Sequence, residues 1–280
     1  MTEHSAISRT PEPDDLGHPV QLPQTIRRVV SLVPSLTEAI AASAPGLLVG
    51  VTDWCTHPRG LQAARIGGTK NPDVPAIAAL TPDVVLANEE ENRPRDLMAL
   101  QASGLPVWIT RVRTLPEAFS SLHRMITLAC RLPRPAWLDT AETAWTQVPA
   151  TGQNSASTDS ASTDSASTAI VPVWRRPWMV LGRDTFAGDV LARLGVLNVY
   201  AGHRDRYPRI GLAELRAAGA GLVVLPDEPY PFSLHDGPEA FPATPTALVS
   251  GRHLTWYGPS LAEAPTILRR QLRQVFVSSE

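Results

Sequence analysis

The chain has 280 residues, 43% of them hydrophobic and 19% charged, which is the composition of a folded globular protein and not of a disordered one. Its formal net charge of −2 argues against a general nucleic-acid binder or a binder of anionic membranes, since both usually need a basic face. No apolar run approaches the ~20 residues of a membrane-spanning helix, and two cysteines, Cys55 and Cys130, set no disulfide framework.

Residues 1–26 are polar and Pro-rich, with no apolar core, basic start or lipid-modifiable cysteine. They predict a disordered tail and not a signal peptide, and with it a cytoplasmic location. From Arg27 onward short apolar runs alternate with helical stretches. Arg28–Leu32 reads as a buried strand. Ser35 and Glu38 have capping-box spacing, opening a helix to about Ala42. Leu47–Thr52 is a second strand, and Asp73 caps a short helix through Leu80. Asp83–Ala87 is a third strand; Arg95–Ser103 is a helix stopped by Gly104. Pro106–Thr110 is a fourth strand, and Pro116–Cys130 a longer helix with proline in its first turn.

The middle departs from this grammar. Ala136–Trp145 is helical, and a degenerate Ser/Thr/Asp/Ala repeat then runs from Thr151 to Thr168. It has nothing to bury and reads as a flexible insertion. The grammar resumes at about Val171. Strands are expected at Trp178–Leu181, Asn198–Tyr200, Leu222–Leu225 and Thr246–Ser250. Helices are expected at Asp189–Leu194, Leu212–Ala218 and Leu261–Val275. Strands alternating with helices imply parallel sheets covered on both faces. The expected organisation is α/β: an N-terminal lobe at 27–130, a connecting helix plus insertion at 131–170, and a C-terminal lobe at 171–280. Ligands in such sheets sit beyond the carboxyl ends of the strands.

Several segments carry a resemblance. VVSLVPSLTEAI, GVTDWCTHP and GGTKNPDVPAIAALTPDVVLANEEENRPRD, then RPWMVLGRDTFAGDVLARLGVLNVYA, YPRIGLAEL, LVVLPDEPYPF and LTWYGPS, follow one another in order. Together they resemble the cobalamin and iron-siderophore binding proteins of ABC importers, the helical-backbone metal receptors of TroA-like fold. The resemblance implies two α/β lobes joined by a helix, clamping a metal-containing or tetrapyrrole-like ligand such as a corrin, an iron-siderophore or a metal ion. It implies a binding protein and not an enzyme; an intracellular metal or tetrapyrrole chaperone or enzyme on the same fold is the alternative. It also implies an ABC permease as partner, docked through one glutamate per lobe. Those positions fall at Pro75 and at Ala213, with Glu214 as its neighbour, so docking is not matched.

The candidate site residues lie in the strand-end loops. The resemblance sets the turn at Pro34 against the ligand. Trp54 can stack on a flat ring or pack in the core. Cys55 and His57 form a C-x-H pair that can face one metal or a corrin cobalt, or can be a buried thiol beside a surface imidazole. Lys70 and Asn71, after Gly67-Gly68, can meet a carboxylate or phosphate. Glu89, Glu90 and Glu91 either face a cation or open a solvated helix, and Arg111 and Arg113 can neutralise an anionic ligand or pair with these acids. From the second lobe come Arg183, Glu228, Tyr230, Trp256 and Tyr257, the aromatics suiting a large flat ligand. No nucleophile elbow, phosphate loop or dinucleotide fingerprint is present, so no catalytic residue is assigned.

Overall fold

A computed structural model describes residues 11–148 and 167–276. The chain forms two compact units. The first holds residues up to Val112, Pro116–Asp139 and Tyr257–Pro259; the second holds Arg113–Leu115, Thr140–Trp256 and residues from Ser260 on.

The N-terminal unit is built on five parallel strands: β1 (Val29–Ser31), β2 (Leu48–Val51), β3 (Ala64–Arg65), β4 (Val84–Asn88) and β5 (Val107–Thr110). Their order is β3-β2-β1-β4-β5. Val84, Val85, Leu86 and Ala87 are fully buried, as a central parallel strand covered on both faces requires. Helices α1 (Pro34–Ser43), α2 (Val74–Ala79), α3 (Pro94–Ala102) and α4 (Leu115–Arg124) connect or follow these strands. Asp73 caps α2 as expected, accepting from Ala76 N–H at 3.0 Å. Gly104 ends α3 with φ +76°, a conformation that costs glycine little. Chain order reverses between β1 and β4, and such switch points are where open α/β sheets bind ligands.

Three expectations for this unit are corrected. Helix α1 starts one residue early: Pro34 fills its first position behind Val33, so Ser35 lies inside the first turn and the Ser35–Glu38 capping box does not form. The expected single helix at 116–130 widens into a π-turn at Met125–Ala129. The tail is not disordered over 11–26. Glu12–Pro13 pairs antiparallel with Pro19–Val20, and Val20, Leu22 and Ile26 are buried. Its acids are held by cations, Arg131 on Glu12 at 3.3 Å and Arg124 on Asp15 at 2.6 Å.

Helix α5 (Ala136–Thr146) carries the chain into the second unit. There the sheet order is β7-β6-β8-β9-β10, with β6 (Ser167–Ile170), β7 (Val196–Asn198), β8 (Leu222–Pro226), β9 (Thr246–Val249) and β10 (Val275–Phe276). All pairs are parallel except β9 with β10. Helices α6 (Phe186–Arg193), α7 (Leu212–Ala217), α8 (Gly251–Thr255) and α9 (Ala264–Arg273) complete it. The C-terminal lobe therefore begins before Val171: β6 opens inside the span assigned to the insertion, and the rest of that insertion lies outside the described residues. The expected strand at Trp178–Leu181 is not in the main sheet. Met179–Val180 pairs antiparallel with Pro172–Trp174 instead. The final helix is also shorter than expected, because Val275 and Phe276 return to the sheet edge.

Candidate functional site

In the N-terminal unit the loop after β2 is stapled from several sides. Arg65 donates to the carbonyls of Thr52 at 2.8 Å and Cys55 at 3.0 Å. Asp53 N–H donates to Gly67 O at 2.9 Å, tying the loop to the antiparallel pair Gly67–Gly68 and Asn71–Pro72. Trp54 stands at the tip, 67% exposed, an unusual position for so large an apolar side chain. A Cβ on Gly68 would lie 2.5 Å from Asn71 Oδ1 and 3.6 Å from Trp54 Nε1, so glycine is what lets these two approach. Lys70 is exposed at the turn of that pair.

The turn after β4 is held by two asparagines. Asn88 Oδ1 accepts from Glu90 N–H at 2.9 Å and Glu91 N–H at 3.1 Å, while Asn88 Nδ2 donates to Thr110 O at 3.0 Å. Asn92 Oδ1 accepts from Asn88 N–H, and Asn92 Nδ2 donates to Thr69 O, each at 2.8 Å. One network of asparagine side chains and backbone groups thus joins the Gly67–Pro72 pair, the Glu89–Glu91 turn and the end of β5. Tyr257 belongs to this unit too, and its hydroxyl lies 3.5 Å from Thr110 Oγ1. Burial pushes its phenol well above the ordinary range, and the carboxylates of Glu91, Glu90 and Asp15 push it further. Gly258 rests on the first turn of α1, where a Cβ would lie 3.1 Å from Ser35 O, next to half-buried Pro34.

Cys55 and His57 are not brought to a common centre. Cys55 is buried, its Sγ sharing hydrogen bonds with Thr37 Oγ1 at 3.0 Å and Thr52 Oγ1 at 3.1 Å. Burial pushes its thiol up despite those bonds and the Arg65 charge, so the thiolate that a metal needs is disfavoured. His57 is exposed, with Nδ1 3.2 Å from Thr56 Oγ1. Among the described residues no three His, Cys, Asp or Glu side chains gather as a metal would require.

In the C-terminal unit the candidates serve different ends. Arg183 is exposed and pairs only loosely with its neighbour Asp184, at 3.5 Å. Trp256 is 8% exposed and donates through Nε1 to Glu228 Oε2 at 3.3 Å, so it is not an open stacking face. Tyr230 donates to Asp236 Oδ2 at 2.6 Å and packs its ring edge-on against Trp174, centroids 5.6 Å apart. Arg175 binds Asp236 and Glu239 and covers the Trp178 ring at 5.3 Å. Trp174, Arg175 and Trp178 were missed in the sequence, although W-R-R-P-W signals a hairpin dense in aromatics. Asn88 and Asn92 were missed as well; their placement on either side of three glutamates was the available signal.

Gly251 fixes the position of Glu228. Its N–H donates to Asp227 Oδ1 at 2.6 Å, and a Cβ there would lie 2.3 Å from Glu228 Cγ and 2.7 Å from both Glu228 N and O. Backbone atoms cannot swing aside, so Gly251→Ala is expected to cost about 1–3 kcal/mol by overpacking. Thermal melting checks this; an unchanged midpoint would refute the crowding.

A family described as periplasmic binding protein matches residues 29–225. The vitamin B12-binding protein of Vibrio cholerae serotype O1 is 22% identical over 204 residues, covering 69% of this chain and 68% of its own. Two solved structures share the fold. The periplasmic heme-binding protein RhuT from Roseiflexus sp. RS-1 matches with TM-score 0.68 and 20% identity, over 88% of this chain and 97% of that one. Helicobacter pylori CeuE with Ni(II) bound matches with TM-score 0.73 and 11% identity, over 94% and 88%. The cytoplasmic location expected from the N-terminal composition is overturned here, because the matching family is described as periplasmic binding protein and RhuT as a periplasmic heme-binding protein.

Proposed function

Since the chain belongs to the periplasmic binding protein family, whose members bind solutes, we propose that its ligand is a flat conjugated macrocycle of the corrin or porphyrin type. The observation that carries this is Trp54, held two-thirds exposed on a loop that Arg65 and Gly67 staple in place. An indole on a loop held this way offers a planar face, with the ordering cost of the loop already met before the ligand arrives. Beside it, Asn71, Lys70 and the Glu89–Glu91 turn supply polar groups for the ligand's edge. The protonated, doubly hydrogen-bonded Cys55 favours a complete macrocycle over a bare ion held by thiolate.

We read the chain as a binder without turnover. Ser250 Oγ lies 2.8 Å from His253 Nδ1, and His253 Nε2 lies 3.0 Å from Glu263 Oε1, an arrangement with the outline of a catalytic triad. Yet Ser250 N–H donates to Gln271 and Gly251 N–H to Asp227, so the nearest backbone donors for an oxyanion are occupied. The partner we propose is a membrane transporter of the ABC class. Exposed Glu214, in the first turn of α7, is the carboxylate this chain offers for docking, whereas Pro75 offers none.

The test is titration of the purified ligand-free protein with vitamin B12 and with haemin, followed by tryptophan fluorescence and the macrocycle's absorbance. Saturable one-to-one binding of either compound is expected. If neither binds, the macrocycle reading is wrong.

A further inference from the structure

We propose that Asp15 is a positioning residue for the ligand-binding end of the N-terminal unit: it brackets Thr110 from both sides and thereby sets the turn at Glu89–Glu91 and the seat of Tyr257. This rests on the reading that the ligand binds at these strand-end loops. Asp15 lies in a strap that precedes the family-matched region, which begins at residue 29.

The strap is firmly attached. Arg124 donates to Pro13 O, to Asp14 O at 3.3 Å and to Asp15 Oδ1 at 2.6 Å, and the Asp15 side chain is only 8% exposed. Asp15 N–H donates to Ile109 O at 3.1 Å, and Asp15 Oδ2 accepts from Arg111 N–H at 3.1 Å and from Ser121 Oγ. The residue between Ile109 and Arg111 is therefore held on one side by the Asp15 backbone N–H and on the other by the Asp15 carboxylate. That residue, Thr110, accepts from Glu89 N–H at 3.0 Å through its carbonyl. Its carbonyl and hydroxyl both receive Asn88 Nδ2, and its hydroxyl donates to Ala87 O and meets Tyr257. A charged acceptor bonded to backbone N–H is among the stronger hydrogen-bond types, and a loss there is transmitted directly to Thr110. The Asp15 charge also reaches Tyr257, where it helps to raise the phenol.

The experiment compares the full chain with Asp15→Ala and Asp15→Asn, reading amide hydrogen exchange by NMR together with vitamin B12 and haemin affinity. In Asp15→Ala, exchange at Glu89–Glu91 is expected to rise about tenfold while strand amides of β1 and β4 stay protected, and affinity falls about tenfold. Asp15→Asn, which keeps an acceptor oxygen, restores most of both. Unchanged exchange at Glu89–Glu91, an equal rise across every strand, or unchanged affinity with raised local exchange would each overturn the proposal. Should the unsubstituted chain bind neither macrocycle, the functional reading fails on its own, and local exchange at Glu89–Glu91 decides the positioning role.

Discussion

Trp108→Ala is expected to lower the unfolding free energy by about 3–5 kcal/mol, the cost of removing a large aromatic side chain from a packed interior. Trp108 is fully buried in the middle of β5, faces Leu86 across the ladder, and lies beneath the Arg124 guanidinium at 5.6 Å. Its Nε1 has no hydrogen-bond partner in the structure, so truncation also removes a buried orphan donor, which offsets a part of the loss. The cavity dominates because Leu86, its partner across the ladder, is itself fully buried. Because β5 ends in Thr110, the same substitution is expected to weaken ligand binding alongside stability. Chemical denaturation checks the first effect; a change below about 1 kcal/mol would mean that the strand repacks around the void.

The second large effect is confined to binding. Trp54→Ala is expected to weaken vitamin B12 or haemin affinity by about 1–3 kcal/mol, roughly five- to a hundred-and-fiftyfold, the scale of losing a stacked aromatic anchor. Stability should move by less than about 0.5 kcal/mol, since an exposed side chain buries little on folding. Trp54→Phe, which keeps a flat face, should retain most of the affinity. Equal affinity in Trp54→Ala and the parent chain would show that the indole faces solvent without a role.

Much of the fold was legible because central parallel strands are continuous apolar runs. DVVLA and LVVL became β4 and β8 within a residue or two. Gly195 and Gly219 follow helices α6 and α7 with φ of +84° and +69°, a conformation in which glycine ends a helix at little cost. Strand β6 was hidden because only Ala169 and Ile170 are buried in it and its start merges with the Ser/Thr repeat. The strap at 11–26 was misread for a different reason. Local composition said disorder, but the cations that hold its acids come 109 and 119 residues later, as Arg124 and Arg131.

The site was half legible. Strand-end position marked Trp54, Asn71 and the Glu89–Glu91 turn together, and the Gly67–Pro72 pair is hydrogen-bonded both to the loop of Trp54 and to Asn92 after that turn. Spacing could not tell that Cys55 points into the core while His57 points out, because one turn separates two directions. Nor could it tell that Trp256 and Tyr257, adjacent and both buried, belong to different units.

Residues Tyr257–Pro259 complete the N-terminal unit from the far end of the gene. On the ribosome, that unit cannot finish folding until nearly the whole chain has emerged. A fragment cut at the Asp139–Thr140 boundary would leave Thr110 without its tyrosine and the first turn of α1 without Gly258. The halves are therefore not interchangeable cassettes: recombination that swaps one for a homologous counterpart must carry the short returning segment with it.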